Sequence, residues 1–578
     1  MTAVIDSHRL TGPHLLGDRP GAALDVAFED QDTQRLVGAW HEHARRLLDA
    51  VGWSGEELSA RTFPGGASLV ISAPIDGLYA ATDLNEAAWD AATAETDGRP
   101  FDDSAAGRLR ETIVRDHNTR LRALRDAARA RDVTFLHDDE LVSAGSGRGA
   151  QVWPLGDLPE VPAVDWAAVR DVPIVLVTGS NGKTTSVRLL AAIVTAAGLV
   201  AGVTSTDGVR VAGDTLAGGD YAGPMGARLA LRDRRVDVAI LETARGGIFR
   251  RGLAVERADV ALITNIAADH LDDFGVHDLA TLAAAKLVAA RAVRPDGRVV
   301  LNADDPGLAT HALSVSPATW FAIDPAAPLV AAELAAGGDA CFVEDGWFMS
   351  ARGGQPVRVE RVDAVPITHG GSAAYNVSNV LGALGAAMIL GDRAGGRMIS
   401  LPVIARALRE FGGTPADNPG RGNFFDLAGV RIVVDYAHNP HGLRAIAAVV
   451  SALDARRRLV VIGQAGDRGD DALRELARAT WALRPDRVIL KELPELHRGR
   501  EPGSVRRVMA AELEALGLAA DSIGHVEREI DALTKALAWA QQGDLVIMLT
   551  HEDREAVLGT IERLRQSGWR PGAAVTPA

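Results

Sequence analysis

The densest group of residues able to do chemistry lies at 174–190, in the stretch IVLVTGSNGKTTSVRLL. An apolar run, 174–177, leads into Thr178-Gly179-Ser180-Asn181-Gly182, and Lys183, Thr184 and Thr185 open an apolar-periodic segment. Strand, glycine loop and helix start, in that order, form a cradle for a nucleoside triphosphate. Gly179 and Gly182 have no Cβ to hold backbone N–H groups, those of Ser180 and Asn181 among them, away from phosphate oxygens. Lys183 brings a point charge, and a hydroxyl of Thr184 or Thr185 can ligate Mg²⁺. The spacing is G-x-x-G-K-T-T, shorter than G-x-x-x-x-G-K-[ST], because Val177 stands at the place of the first glycine. A plain glycine turn is the competing reading; a lysine and two threonines in this context weigh against it.

Phosphoryl transfer also needs metal ligands and charge clamps. Glu242 ends the apolar run VDVAILE, and His270 follows another in TNIAADHLDD, both where Mg²⁺ ligands are expected. Taken alone, they also read as a satisfied strand-end acid and a surface histidine. Lys286 lies in LATLAAAKLVAA, an apolar helix in which a lone lysine ordinarily snorkels to solvent. The loop GSGRG, 145–149, opens no helix and reads as a plain turn. The segment KELPELHRGREPGS, 491–504, carries both charge signs and reads either as facing an incoming amino acid, with Arg498, or as a solvated loop.

Three blocks of different texture must position these groups. With 578 residues the chain exceeds a single core. The first block, 1–165, reads as an α+β domain with one strand at 68–72 and a long amphipathic helix at 105–131, closed by the Pro-rich connector PLGDLPEVPAVDW. The second, 166–418, alternates helices with the apolar strands VPIVLVTG, VDVAILE, ADVALITN and RVVLNAD, which predicts a doubly wound parallel sheet covered on both faces. Its strands end in Thr178, Glu242, Asn265 and Asn302, at the edge where such sheets bind ligands. The third, 419–578, repeats the pattern with VRIVVDYAH, RLVVIGQ, DRVILK and DLVIMLT, a smaller Rossmann-like α/β domain with no G-x-G-x-x-G after its first strand.

Composition excludes several classes. A formal charge of −15 disfavours nucleic acid as the main ligand. The longest uncharged run, 189–206, contains Thr195, Gly198 and Gly202 and reads as a helix end followed by a strand, so no membrane span is expected. The N-terminus lacks a basic-then-apolar signal layout. The single cysteine, Cys341, precludes an internal disulfide framework, reads as structural and fits a reducing cytoplasm.

Several spaced motifs, taken together, resemble the Mur ligase superfamily: VTGSNGKTTS, LETARGGIFRRGL, TNIAADHLDDFG, LNADDP, the paired Asn376 and Asn379, and VVDYAHNPHG. The nearest likeness is to the Mur-ligase-like part of the cyanophycin synthetases. The first block is similar to their N-terminal domain through LTGPHLL, ATDLNEAAWD and GSGRGAQVW, with His14 where asparagine is expected. The resemblance implies ATP and Mg²⁺ as cofactors. It implies that Lys183 and its loop hold the β- and γ-phosphates, with Thr184 on Mg²⁺. Glu242 and His270 would hold metals, and Lys286 would be carbamylated to help bind a second Mg²⁺. Asn376 and Asn379 would lie near adenine, and Arg421 and Asp435 would contact phosphate and ribose. Arg245, His438, Asn439 and Arg498 are expected toward the substrate.

The reaction so implied is stepwise amide formation. A carboxylate takes the γ-phosphoryl group, and the amine of an amino acid or small peptide-like substrate displaces phosphate. A non-catalytic nucleotide-binding relative is the rival, as is a P-loop kinase or GTPase, for which the DYAHNP block has no use. The likeness of the first block is compatible with a homo-oligomer. One departure stands out: the cyanophycin synthetases carry an ATP-grasp domain before the Mur-like part, and here the segment between Gly149 and Ile174 is too short for a domain. One kind of carboxylate activation is therefore expected, with a pre-formed dipeptide as one way to supply the other bond.

Overall fold

The computed structural model describes residues 2–100, 102, 104–269, 271, 273–393 and 399–575. Four β-sheets organise them. The largest has eleven strands, and the strand Ile174–Thr178 lies inside it, flanked in parallel by Val238–Glu242 on one side and Ala258–Ile263 on the other. The chain leaves Ile174–Thr178, crosses to Ala201–Ser205, and returns to fill the gap with Val238–Glu242 before passing to Ala258–Ile263 and Val293–Asn302. The phosphate-loop strand thus sits where the winding reverses, and a crevice opens past its carboxyl end.

Alternation along these strands explains why they read as continuous apolar runs. Val175 and Val177 face one core, with Val187, Leu190, Val380 and Leu384. Ile174 and Leu176 face another, with Ile248, Leu282 and Val288. Both faces are covered, so neither set of positions can be polar. Each fully buried aliphatic side chain contributes about 1.5–3 kcal/mol. Helices Lys183–Ala196, Ala374–Arg393 and Leu401–Glu410 cover the first face, and Arg245–Arg251 and Leu279–Arg291 the second. Ala374–Arg393 is long and apolar enough to cross a membrane, but it is largely buried against this sheet.

The sheet runs on past Asn302 through Ala318–Phe321 and Ala340–Glu344 in parallel, then Trp347–Arg352 and Gln355–Arg361 in antiparallel. Cys341 is a buried free thiol in this extension, and burial pushes it up to about 12. A second sheet of six strands is parallel except for its edge strand Asn423–Leu427, in the order Asn423–Leu427, Val430–Asp435, Leu545–Leu549, Arg458–Ile462, Arg487–Lys491, Ile523–Val526.

The first block departs most from the sequence expectation. In place of one strand it holds an antiparallel sheet, Ala3–Leu10, Gly21–Ala27, Gly66–Ser72 and Leu58–Phe63 in spatial order, and a small sheet of Phe135–His137, Leu141–Ala144 and Gln151–Pro154. Helices Thr33–Ala50 and Leu78–Thr96 pack on one face of the larger sheet through Leu36, Trp40, Leu84 and Trp89. The long helix expected at 105–131 is two helices, Ala105–Asp116 and Thr119–Ala130. His117 turns extended, and Asn118 caps the second helix by accepting from Leu121 N at 3.0 Å. The GSGRG loop is a short turn followed by extended chain, as expected.

Candidate active site

The phosphate loop takes its shape from the segment that follows the neighbouring strand. Gly179 (φ +145°) and Gly182 (φ +84°) lie where L side chains are strained. A Cβ at Gly179 would collide with Thr264 Oγ1, and one at Gly182 with Asn379 Oδ1. Ser180 Oγ donates to Ala267 O at 2.8 Å and accepts from Ala267 N at 3.0 Å. Asn181 N donates to Asn265 Oδ1 at 2.9 Å, while Thr264 Oγ1 donates to Asn181 O at 2.6 Å. Lys183 opens the helix, and its Nζ reaches back to the Gly179 and Ser180 carbonyls, 3.1 Å from each. The ammonium is therefore held over the loop mouth beside the positive end of the helix.

Behind the loop lies a buried acid. Glu242 is 1% exposed, and its Oε2 accepts from Thr184 Oγ1 at 2.8 Å. Its Oε1 has no hydrogen-bond partner among the described residues. Burial pushes this carboxyl up, and the nearby charge of Lys183 pulls it down. An unsatisfied buried carboxylate oxygen costs about 1–3 kcal/mol or more. A divalent cation held by Thr184 Oγ1 and Glu242 would relieve that cost, so the donor set fits Mg²⁺.

Lys286 does not snorkel. It is buried on helix Leu279–Arg291 and lines the same cleft. Burial holds its ammonium well below the usual lysine range, and the charge of Lys183 presses the same way against Asp269 and Asp305. Its partner in the sequence reading, His270, lies outside the described residues.

The six-stranded sheet forms the facing wall. Asp435 ends Val430–Asp435, and its Oδ1 accepts from Ala437 N at 2.7 Å. Burial raises its carboxyl against the pull of Arg421. Arg421 stacks over the Tyr436 ring at 4.0 Å and donates to Thr206 Oγ1 at 3.3 Å. Asn439 caps the helix Pro440–Ser451, and its Nδ2 donates to Asn181 Oδ1 at 3.1 Å, while Asn181 Nδ2 lies 3.0 Å from His441 Nδ1. His438 Nε2 and Arg468 approach Asp269 at 3.4 and 3.3 Å. At the outer end Asp207 joins Arg188 at 2.5 Å and also Arg554, and Arg188 donates to Asn418 Oδ1 at 2.9 Å.

Asn376 and Asn379 sit one helical turn apart on Ala374–Arg393; Asn376 Nδ2 donates to Ile367 O at 2.9 Å and Asn379 Nδ2 to Asn376 Oδ1 at 3.2 Å. Arg245 is buried and donates to Asp273 Oδ2 at 3.0 Å. Arg498 lines the cleft but is tied to Asp467 within its own block. One cleft of about 2430 Å³ gathers the loop residues 179–185, Glu242, Arg245, Lys286, Asn376, Asn379, Arg421, Asp435, His438 and Arg498. Asn439 stands just behind it on Asn181. Sequence reasoning did not single out Asp269, His441, Arg188, Asp207 or Arg468. Asp269 and His441 stood inside motifs already quoted, whereas nothing near Arg468 marked it. It also missed that the first block lines this cleft, through Asp6, Arg9, Thr11 and Asp25.

Residues 177–387 match the Mur ligase middle domain, and residues 420–550 match the Mur ligase, glutamate ligase domain. The chain belongs to the Mur ligase family. The first match holds Lys183, Glu242, Lys286, Asn376 and Asn379; the second holds Arg421, Asp435, His438, Asn439 and Arg498. Among curated family members, the chain is 35% identical over 437 residues to the cyanophycin synthetase of Geminocystis herdmanii, covering 74% of this chain and 48% of that one. It thus spans about half the length of that relative. It is 27% identical over 469 residues to the UDP-N-acetylmuramoyl-L-alanyl-D-glutamate–2,6-diaminopimelate ligase of Geobacter sulfurreducens, covering 73% and 86%. Among solved structures, FolC of E. coli in complex with ADP aligns with a TM-score of 0.48 and 22% identity over 68% of this chain and 90% of that one.

Proposed function

We propose that this chain is an ATP-dependent amide ligase that joins an amino-acid amine to a substrate carboxylate through an acyl phosphate. One observation carries the reading: Lys183, the half-satisfied Glu242 and the buried Lys286 meet at one end of a cleft whose other wall is built by Asp435, His438 and Arg421. The relatives named as a synthetase and as a ligase support it. The three blocks 1–165, 166–418 and 419–578 are taken as three domains, with the chemistry at the seam of the second and third.

In this reading Lys183 leaves the carbonyls of Gly179 and Ser180 for the β- and γ-phosphates, while the N–H groups of the loop hold their oxygens. Thr184, Glu242 and His270 hold Mg²⁺, which when bound neutralises charge on the transferring phosphoryl group. Lys286, whose ammonium form burial disfavours, would add its amine to CO₂ and lose a proton, and the carbamate so formed would offer a further metal ligand. Asn376 and Asn379 face the adenine, and Arg421 and Asp435 hold phosphate and ribose. A carboxylate oxygen of the substrate attacks the γ-phosphorus and ADP leaves. The amine then attacks the acyl carbon, and phosphate leaves from the tetrahedral intermediate. Arg245, His438, Asn439 and Arg498 orient the two substrates, and closure of the facing wall keeps out the water that would hydrolyse the acyl phosphate.

The segment between Gly149 and Ile174 leaves no room for a second activating domain, which favours one amide bond per ATP at one site. Pre-formed dipeptides are included among the acceptors on the same ground. The test is an array of amino acids and short acidic peptides screened for ATP-dependent phosphate release, with mass spectrometry of each hit. One well holds aspartate, arginine and a short primer. Release that needs both an acid and an amine, without alternating growth of the primer, supports the proposal; growth by both residues contradicts it.

A further inference from the structure

The N-terminal antiparallel sheet turns one face to helices Thr33–Ala50 and Leu78–Thr96 and the other toward the ligase core. On that second face stands a group of donors the ligase reading leaves unused. Asp6 and His8 are two residues apart on the strand Ala3–Leu10, so their side chains leave the same side. Asp25, on Gly21–Ala27, is the direct cross-strand partner of Asp6. Two carboxylates placed opposite each other repel unless a positive charge lies between them. One ligand atom from each of Asp6, His8 and Asp25 lies within 4.8 Å of the others.

The imidazole adds a second, independent sign. His8 is 6% exposed, and its Nε2 lies 3.1 Å from the carbonyl oxygen of Phe249 in helix Arg245–Arg251. A carbonyl only accepts, so Nε2 carries the proton. Nδ1 is buried with no hydrogen-bond partner among the described residues, yet it lies 3.2 Å from Asp6 Oδ2. Nδ1 is thereby turned toward the Asp6 carboxylate, the orientation a metal-binding histidine takes when a backbone carbonyl holds the other nitrogen. The charge of Asp25 acts on the guanidinium of Arg61, but that side chain is hydrogen-bonded to other groups. Arg61 donates to the Phe274 and Gly275 carbonyls at 2.5 and 2.6 Å and to Ser68 Oγ at 3.3 Å, and no ion pair joins it to Asp25 among the described residues.

We propose that Asp6, His8 and Asp25 bind one divalent first-row transition-metal ion of the zinc or manganese kind, at the seam between the N-terminal sheet and helix Arg245–Arg251. One imidazole and two carboxylates suit such an ion better than the all-oxygen shell that Mg²⁺ prefers. Asp6 and Asp25 also line the large cleft, so the positions the protein leaves open face it, where water or a substrate carboxylate completes the shell. The ion would tie the first block to the wall that carries Arg245.

The test uses the full chain, stripped by chelator, dialysed, and held in excess Mg²⁺ to occupy hard-ion sites. Zinc uptake is measured by equilibrium dialysis with mass-spectrometric metal counting, without ATP, so the result is independent of ligase activity. Wild type should hold one more zinc per chain than Asp6→Asn or His8→Gln at a zinc concentration that saturates the site. Asp6→Asn should bind at this site more than about tenfold more weakly. Asp6 is half exposed, so Asp6→Asn is expected to fold, and an unchanged metal-free melting curve checks it. Equal zinc content in wild type and Asp6→Asn, or a His8 ring protonated at both nitrogens in zinc-treated protein, would overturn the proposal.

Discussion

The two walls of the ligase cleft are built on opposite plans. On the phosphate-loop wall, Ser180 and Asn181 are braced by the segment after the neighbouring strand, through Ala267, Asn265 and Thr264, while Glu242 and Lys286 are buried ionisable groups in costly settings. On the facing wall, the links back are side-chain contacts, among them Asn439 to Asn181, His438 and Arg468 to Asp269, Arg421 to Thr206, and Arg554 to Asp207. The first plan stores electrostatic cost in a rigid place where only bound charge relieves it. The second can be made and broken with each turnover, as a closing wall requires.

If the contrast is right, substitutions on the two walls should fail differently. The largest effect belongs to Lys183→Ala, which should lower kcat by about 10³-fold or more with little change in melting temperature, since among the described residues the lysine's hydrogen bonds go to two loop carbonyls. An Ala variant with near-normal turnover would move the site elsewhere.

Glu242→Gln should lower Mg²⁺-dependent activity, by less than Lys183→Ala does, yet raise the melting temperature of the metal-free protein at neutral pH. The sign follows from linkage. The carboxyl is raised in the folded state, so between its unfolded and folded pKa values the folded protein binds more protons, and stability falls as pH rises through that window. Removing the charge removes the loss. Thermal melts of both proteins from acid to neutral pH, with and without Mg²⁺, test this; identical pH slopes would contradict it.

Lys286 should show a carboxylate beyond Nζ in crystals grown with bicarbonate, and activity should fall in CO₂-depleted buffer and recover on adding bicarbonate. An unmodified lysine in active, metal-loaded protein would remove this part of the account. The smallest effect is expected from a link between the two walls. Asp207→Ala breaks its links to Arg188 and Arg554 and should raise the KM for ATP about tenfold or less. ATP hydrolysis should rise relative to amide formed, because an imperfectly closed cleft admits water. A drop in kcat as large as that of Lys183→Ala would erase the distinction between the walls.

How much of this was legible in the sequence follows from packing. The strands Ile174–Thr178, Val238–Glu242 and Val430–Asp435 are buried on both faces, so each reads as an apolar run ending in a polar residue; that placed the phosphate loop and Glu242 at strand ends, whereas Asp435 was singled out through the family resemblance. The strands of the first block are not so marked. GAALDVA is alanine-rich with a buried Asp25, and LSARTF is half polar, since an antiparallel sheet pinned between helices and another block needs no continuous apolar run. The break at His117 and Asn118 hid inside an amphipathic pattern that continues on both sides, although Asn-Thr is an N-cap signal. Burial of Lys286 could not be told from snorkelling without knowing what covered its helix. Contacts such as Asn181 to Asn439 join residues 258 positions apart, a distance at which periodicity carries no information.

The central claim is that a carboxylate oxygen attacks the γ-phosphorus before any amide forms. It is tested most directly by supplying the acid identified by the array with ¹⁸O in its carboxylate, together with ATP and the amine, and analysing the released phosphate by mass spectrometry. The account predicts one labelled oxygen in each phosphate released, the matching oxygen missing from the amide, and both signals absent in Lys183→Ala. Amide formation with unlabelled phosphate would contradict it.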